Sequence, residues 1–294
     1  MPKRYRSLVL DFSPNLIQAV AEDCKDWAQV NGICMRLPDH KDKSDLTQIL
    51  PFTLAPSLTP KKLFNEAYDV QKGFNELYHR LAFDGDFIET SLVNVIKNDQ
   101  FTRKLFEIYK RVYIEENCLD RIQSNVLTIQ RSDYMFHKDD SYIVREYGSK
   151  IDGIKESTAH HYVLKQVEVN NIAAGGAGLA DRVTKMHRRT FQQWLECKAG
   201  MISRIPDNRS LELVSTALAE AWFSYNVPNA ILLVVIEPLN QNAMDQRMVE
   251  HEFSLLTSAC VRRMTLPEIS IYGKVDHERV FFSLLYYYYC NYYC

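Results

Sequence analysis

Residues 231–236 read Ile231-Leu232-Leu233-Val234-Val235-Ile236. An unbroken, largely β-branched run of this kind is the pattern of a parallel strand buried on both faces. Before it, Pro228-Asn229 breaks a helix that starts at Ser210 and carries Leu211, Val214, Leu218, Ala221 and Trp222 on one face. After it, a helical pattern over 243–256 and a short strand at Cys260–Met264 complete a βαβ unit. Val126–Ile129 and Tyr162–Val169 also read as strands. From about residue 123 the chain is therefore predicted to be α/β with a mostly parallel sheet.

Working outward toward the N-terminus, the period changes to that of helices. Ser13-Pro14 is a cap followed by proline at the first helical position, and Leu16, Ile17, Val20, Ala21, Cys24, Trp27 and Ala28 keep a 3.6-residue period. Thr59-Pro60 repeats that start signal ahead of Leu63, Phe64, Ala67, Phe74, Leu77, Tyr78 and Leu81, with Gly73 suggesting a close packing contact. Further helices fit 87–97 and 100–113, the second capped by Asp99. The segment from Pro51 to Pro60 carries three prolines and is expected to be an extended connection. The expected organisation is a helical part over 1–122, an α/β part over 123–265 with a polar insertion at 138–160, and an atypical tail over 266–294. That tail ends with six tyrosines in nine residues and shows neither period. A ligand platform of stacked tyrosines and a read-through or mis-spliced gene end are both readings of it, the second being favoured.

Composition narrows the class. The 294 residues are 46% apolar and 24% charged with a formal net charge of −2, which is globular usage and not the profile of a disordered chain or a polybasic nucleic-acid binder. No apolar run approaches the ~18 residues of a membrane span. Leu8-Val9-Leu10 is too short for a signal-peptide core, so a cytoplasmic protein without nucleic-acid or membrane partners is expected. Seven scattered cysteines without a C-x-x-C spacing read as reduced, buried thiols.

Three segments could carry chemistry. Alternation places Gln166, Glu168 and Asn170 on one face of a strand, where a carboxylate and an amide oxygen two residues apart can ligate a hard cation such as Mg2+. The loop that follows, Ala173-Ala174-Gly175-Gly176-Ala177-Gly178, lets backbone N–H groups approach an anion, although it has no phosphate-loop spacing. A tight turn beside a solvated polar face accounts for the same residues. The second segment, Glu237 to Arg247, collects Asn240, Gln241, Asn242 and Gln246 at a strand's carboxyl end, suited to hydrogen-bonding a small zwitterion or to serving as an ordinary polar connection. In the third, Arg131 in Arg131-Ser132-Asp133-Tyr134 either forks onto a ligand carboxylate or pairs internally with Asp133.

Several ordered stretches resemble the eukaryotic glutathione synthetase family: APSLTPKKLFNEAYDVQKGFNELYHRL, NDQFTRKLFEIYK, RSDYMF, LKQVEVNNIAAGGAGLADRVTKMHRR, SYNVPNAILLVVIEP and NAMDQRMVEHE. The resemblance runs from about Leu50 to about Thr265. It implies the substrate-binding part of an ATP-grasp ligase, and a reaction joining γ-glutamylcysteine to glycine with ATP and Mg2+ in a homodimer. By resemblance, Arg131, Asn242 and Gln246 contact the dipeptide, Glu168 binds Mg2+ and lies against ATP, and Asn170 is the accompanying Mg2+ ligand. Ala173 and Gly175 stand where the family has two dipeptide-binding serines, and Asn240 stands where it has a glutamate. Each missing hydroxyl is expected to cost on the order of 1–3 kcal/mol of binding. The family's later ATP-grasp segments, with their glycine-rich phosphate cover, do not appear in the chain. The expectation is therefore a truncated member that is inactive by itself and has no catalytic residue of its own. A diverged paralogue with an altered substrate, or a non-catalytic dimerisation or regulatory module, are the alternatives.

Overall fold

The computed structural model describes residues 13–115, 125–143, 160–172, 174–194, 202–227, 229–273, 275–276, 279–280 and 285–287. The chain divides into two compact units, one of Met1–Leu58 with Asn171–Cys294 and the other of Thr59–Asn170. This division differs from the linear order of parts expected from sequence: the N-terminal helix belongs with the second half of the chain, and the remaining early helices belong with residues up to 170.

The first unit begins with α1 (Pro14–Val30), where the Ser13 hydroxyl accepts the Leu16 N–H at 3.3 Å and Pro14 opens the first turn, as the sequence signal predicts. Its inner stripe, Val20, Cys24 and Ala28, packs with Ile33, Leu179 and Met186. The last two come from α5 (Ala177–Trp194), a helix the sequence reading did not anticipate because its apolar stripe is narrow and interrupted by charge. An ion pair ties α1 to α5: both oxygens of Asp23 accept from the Arg189 guanidinium, and the Trp194 indole N–H donates to Asp23 at 2.8 Å. Short strands β1 (Cys34–Arg36) and β2 (Thr47–Ile49) pair antiparallel beside this layer.

The run at 231–236 behaves as its composition dictates. Strand β5 (Leu232–Val235) has all four side chains buried, each burial contributing roughly 1.5–3 kcal/mol before conformational entropy is counted. Helices α6 (Ser210–Tyr225) and α7 (Ala243–Thr257) flank it in sequence and pack on each other, bringing the Ser215 hydroxyl to the Val249 carbonyl. Strand β6 (Val261–Met264) returns parallel to β5, completing the expected βαβ unit. A capping box of Thr265 and Glu268 then opens α8 (Leu266–Tyr272). Beyond it, β7 (Val275–Asp276) pairs antiparallel with β8 (Arg279–Val280), and β9 (Leu285–Tyr287) lies parallel to β5 on its other edge. Three residues of the tail thus join a sheet ordered β6-β5-β9.

The second unit holds α2 (Lys61–Leu81), α3 (Gly85–Asn98), α4 (Gln100–Tyr113) and the antiparallel pair β3 (Arg131–Ile143) and β4 (His160–Asn170). Asp84 and Asp99 cap α3 and α4 by accepting the N–H groups of Phe87 and Thr102. Helix α2 starts one residue after the expected Thr59-Pro60 signal, with Pro60 at the cap. Gly73 has open space where a Cβ would sit, so it marks no close approach.

Two strand expectations change. Residues 125–130 are irregular, and the strand begins at Arg131, not near Val126. The strand ending at Asn170 pairs antiparallel with it and is no part of the parallel sheet, so the strand-end rule for open parallel sheets does not apply there. The polar stretch at 138–160 splits: 138–143 continue β3, His160 opens β4, and 144–159 lie outside the described residues.

Candidate functional site

The β3–β4 register sets Arg131 opposite Asn170 and Asp133 opposite Glu168, with a bulge immediately after Asp133. Two carboxylates directly opposed across a ladder repel. The Arg131 guanidinium offsets this by forking onto Asp133, Nε to Oδ1 at 2.9 Å and Nη2 to Oδ2 at 3.0 Å, while Nη2 lies 4.0 Å from Glu168. The Asn170 amide donates to Glu168 at 3.0 Å and to Asp133 at 3.3 Å. Of the two readings of Arg131, the internal pair with Asp133 is the one the structure displays.

Asp133 is expected from sequence only as an internal partner of Arg131, two residues away. With Glu168 it presents carboxylate oxygens, donor chemistry that suits Mg2+ with several retained waters, while Asn170 turns its NH2 group toward both acids. Among the described residues no cluster of three or more His, Cys, Asp or Glu side chains has metal-binding geometry.

In the first unit the glycine loop does approach an anion, and the anion is the protein's own. Asp245, on the first turn of α7 and fully buried, accepts the N–H groups of Gly176 at 2.6 Å, Gly178 at 2.8 Å and Leu179 at 3.0 Å. A carboxylate at the start of α5 satisfies donors that every helix leaves open there and meets the positive end of the helix dipole. Gly176 adopts φ +98, a backbone conformation that costs a side-chain-bearing residue. A Cβ on Gly178 would meet Met248 Sδ at 2.6 Å and Met248 Cβ at 2.9 Å. Both glycines are required to bring the loop onto α7.

Around Asp245 lie the amides of the 237–247 segment. Asn240, Asn242 and Gln246 are at most 5% exposed. Asn240 Oδ1 accepts the Asn242 N–H at 2.8 Å, and Asn242 Nδ2 donates to Asp245 at 3.4 Å. Gln246 Oε1 accepts from Arg263 on β6, which also pairs with Glu250. Burial presses the Arg263 guanidinium below its ordinary value; the Glu250 charge acts against this, and Arg247 and Arg36 act with it. The Arg36 N–H donates to the Gln241 carbonyl at 3.0 Å, which seats β1 against this loop.

After these commitments each of the three amides keeps one buried polar atom without a partner, Asn240 Nδ2, Asn242 Oδ1 and Gln246 Nε2, as does Arg36 at Nε. Buried polar groups are otherwise satisfied almost throughout native proteins.

The expected site residues therefore fall into two groups. Arg131, Glu168 and Asn170 meet on the β3–β4 pair, while Gly175, Asn240, Asn242 and Gln246 belong to the other unit. Ala173 lies outside the described residues. Sequence reasoning missed the roles of Asp245 and Arg263; both stood within segments it had marked, and only the fold shows which atoms they meet. Among the described residues no helix is long and apolar enough to cross a membrane.

The model of the eukaryotic glutathione synthase ATP-binding domain matches residues 14–272. The glutathione synthetase of Xenopus laevis is 34% identical over 267 residues, 91% of this chain and 51% of that protein. The human enzyme is 32% identical over 266 residues, 90% of this chain and 51% of its own length. A chloroplastic glutathione synthetase of Solanum lycopersicum is 29% identical over 272 residues. The chain spans about half the length of these relatives. Among solved structures, a glutathione synthetase-like effector of Globodera pallida in its apo form superposes with a TM-score of 0.69 at 23% identity, covering 96% of this chain and 59% of that one. The chain belongs to the eukaryotic glutathione synthase family.

Proposed function

We propose that this chain supplies the acid-substrate side of an ATP- and Mg2+-dependent ligation of the glutathione synthetase type, binding a γ-glutamylcysteine-like dipeptide through Asn240, Asn242 and Gln246. The observation that supports this reading is the trio of buried, unpartnered amide atoms in the segment where the sequence resemblance implies dipeptide contacts. On the other unit, taken by itself, Arg131 could take a ligand carboxylate by releasing Asp133, a bidentate exchange between like groups. Glu168 and Asn170, with Asp133 beside them, would hold Mg2+, which in such reactions neutralises phosphate charge on ATP. For Asn170 this requires its carbonyl oxygen, not its NH2 group, to face the cation.

The same reading holds that these residues bind substrate without completing ligation by themselves. What supports this is the glycine loop: its Gly176 and Gly178 N–H groups are spent on Asp245, so it forms no phosphate cradle. The test combines calorimetric titration of the chain with γ-glutamyl dipeptides and a coupled assay for ADP in the presence of ATP, Mg2+ and glycine. Saturable dipeptide binding without ADP release is expected. Absence of binding defeats the substrate assignment, and sustained ADP release contradicts the inactivity.

A further inference from the structure

Helix α4 carries two stripes of largely apolar residues, each spaced by four, three and four positions. Thr102, Phe106, Tyr109 and Tyr113 form the inner one. Phe106 is buried and its ring stacks on Tyr109, whose hydroxyl donates to the Ala82 carbonyl at 3.0 Å. Tyr113 meets the Phe83 ring edge-on at 5.7 Å. These contacts hold α4 against the turn that follows α2. The outer stripe, Phe101, Leu105, Ile108 and Val112, is shifted by one residue and faces outward. Phe101 is 75% exposed, Leu105 53% and Ile108 50%, with Val112 half-buried. Large apolar side chains aligned at such exposure on one helix form a patch, which scattered surface residues do not.

Spacing and charge together specify what fits this patch. Alternation of four and three residues is the a/d seam of a coiled coil, a narrow stripe that takes one partner helix. A helix that lies in a lipid surface instead presents a broad apolar face. One border of the seam is the inner stripe, already packed. On the other border stand Lys104 and Arg111, both exposed and one heptad apart, at the positions that flank such a seam. The one acid within α4, Glu107, lies further round the helix, and Lys110 is turned toward the Phe106 ring and toward Glu89 at 3.8 Å. A second copy of α4 laid antiparallel along the seam would set Lys104 against Arg111 of the other copy, like charge on like. A helix with Asp or Glu beside its own seam would set acids against both.

We propose that the seam of Phe101, Leu105, Ile108 and Val112 is a docking surface for an acid-bordered amphipathic helix of a partner protein, bound as a two-helix coiled coil. Apolar side chains of that helix fill the seam, and its acids pair with Lys104 and Arg111. The surface belongs to the unit of Thr59–Asn170 and does not depend on the dipeptide site, whose amides lie on the other unit.

The test titrates the chain, by fluorescence anisotropy, into a labelled synthetic helix with Leu at its a and d positions and Glu at its e and g positions. A twin peptide carries Lys in place of Glu, and like charges keep each peptide from pairing with itself. The Glu peptide is expected to bind saturably and about tenfold or more tightly than the Lys peptide, a preference that shrinks as salt is raised. Leu105→Asp should abolish binding in a protein that still melts cooperatively, and Lys104→Glu with Arg111→Glu should invert the preference. Should Leu105→Asp fail to fold, Phe101→Asp makes the same test at the most exposed position of the seam. Binding of neither peptide, equal binding of both, or binding that survives Leu105→Asp overturns the inference. A dimer of the chain in sedimentation that Leu105→Asp dissociates overturns it in favour of a second copy. Retention on phosphatidylserine vesicles that Leu105→Asp removes overturns it in favour of a lipid surface.

Discussion

Asp245 Oδ1 accepts the Gly178 N–H at 2.8 Å and would stand 3.1 Å from a Cβ placed on that glycine. One contact thus joins the glycine loop, the start of α5 and the first turn of α7, and it holds the amides of the candidate site in register. Replacing Asp245 by Ala removes the carboxylate that accepts three N–H groups at the start of α5. The expected loss is about 3–5 kcal/mol in urea unfolding, with Asp245→Asn intermediate because one acceptor oxygen survives. A loss under ~1 kcal/mol would show that the loop is held elsewhere.

Gly178→Ala tests the packing half of the same contact. The new methyl meets Met248 at both Sδ and Cβ, and Cβ cannot swing away, so a cost on the order of 1–3 kcal/mol is expected. Adding Met248→Ala removes the sulfur and should recover part of that loss, which a double-mutant cycle on thermal unfolding would read as coupling.

Acid sensitivity should arise in part from His187. Burial lowers its pKa from the ordinary 6.5, opposed by the hydrogen bond its ring Nε2–H donates to the Thr53 carbonyl at 2.7 Å. The folded state holds the ring neutral while the unfolded chain protonates below about 6.5, so unfolding takes up a proton. Stability from this group is complete above pH ~6.5 and declines as pH falls toward the lowered folded value. His187→Gln should flatten that part of a pH–stability profile; an unchanged slope would assign the sensitivity to other groups.

On the β3–β4 pair, Arg131 is about one-third exposed, so its ion pair with Asp133 is expected to add no more than ~1 kcal/mol to stability. Its larger effect is on charge. Arg131→Ala leaves Asp133 and Glu168 opposed with no guanidinium between them, and Mg2+ affinity should rise several-fold by calorimetry, while Glu168→Gln should lose it. Unchanged Mg2+ binding in both variants would place the cation away from this hairpin.

Much of the fold was legible because local signals and burial agreed. Ser13-Pro14 fixed the start of α1, Asp99 that of α4, and the run at 231–236 announced a strand buried on both faces. Three features were not legible. Residues 126–129 are mostly β-branched yet irregular, since a strand needs a partner, and the ladder with β4 begins only at Arg131. The assignment of α1 to the later half of the chain depends on Asp23–Arg189 and on Cys24 against Thr190, contacts more than 160 residues apart. The glycine loop announced an anion, but composition could not say that Asp245 supplies it. For the site, the positions of Asn240, Asn242 and Gln246 were visible as polarity at a strand end; which of their atoms remain free follows only from the partners folding brings them.

The account stands or falls on Gln246. Gln246→Glu keeps the oxygen that accepts from Arg263 and replaces the free donor Nε2 by a second carboxylate oxygen, so the fold should hold while the substrate acid loses a hydrogen bond and meets a like charge. The most direct measurement is the dissociation constant of the acid substrate for wild type and Gln246→Glu, each with its melting temperature. Saturable binding to wild type, weakened about tenfold or more in a variant that still melts cooperatively, is the predicted result. Equal binding by the two proteins would contradict it.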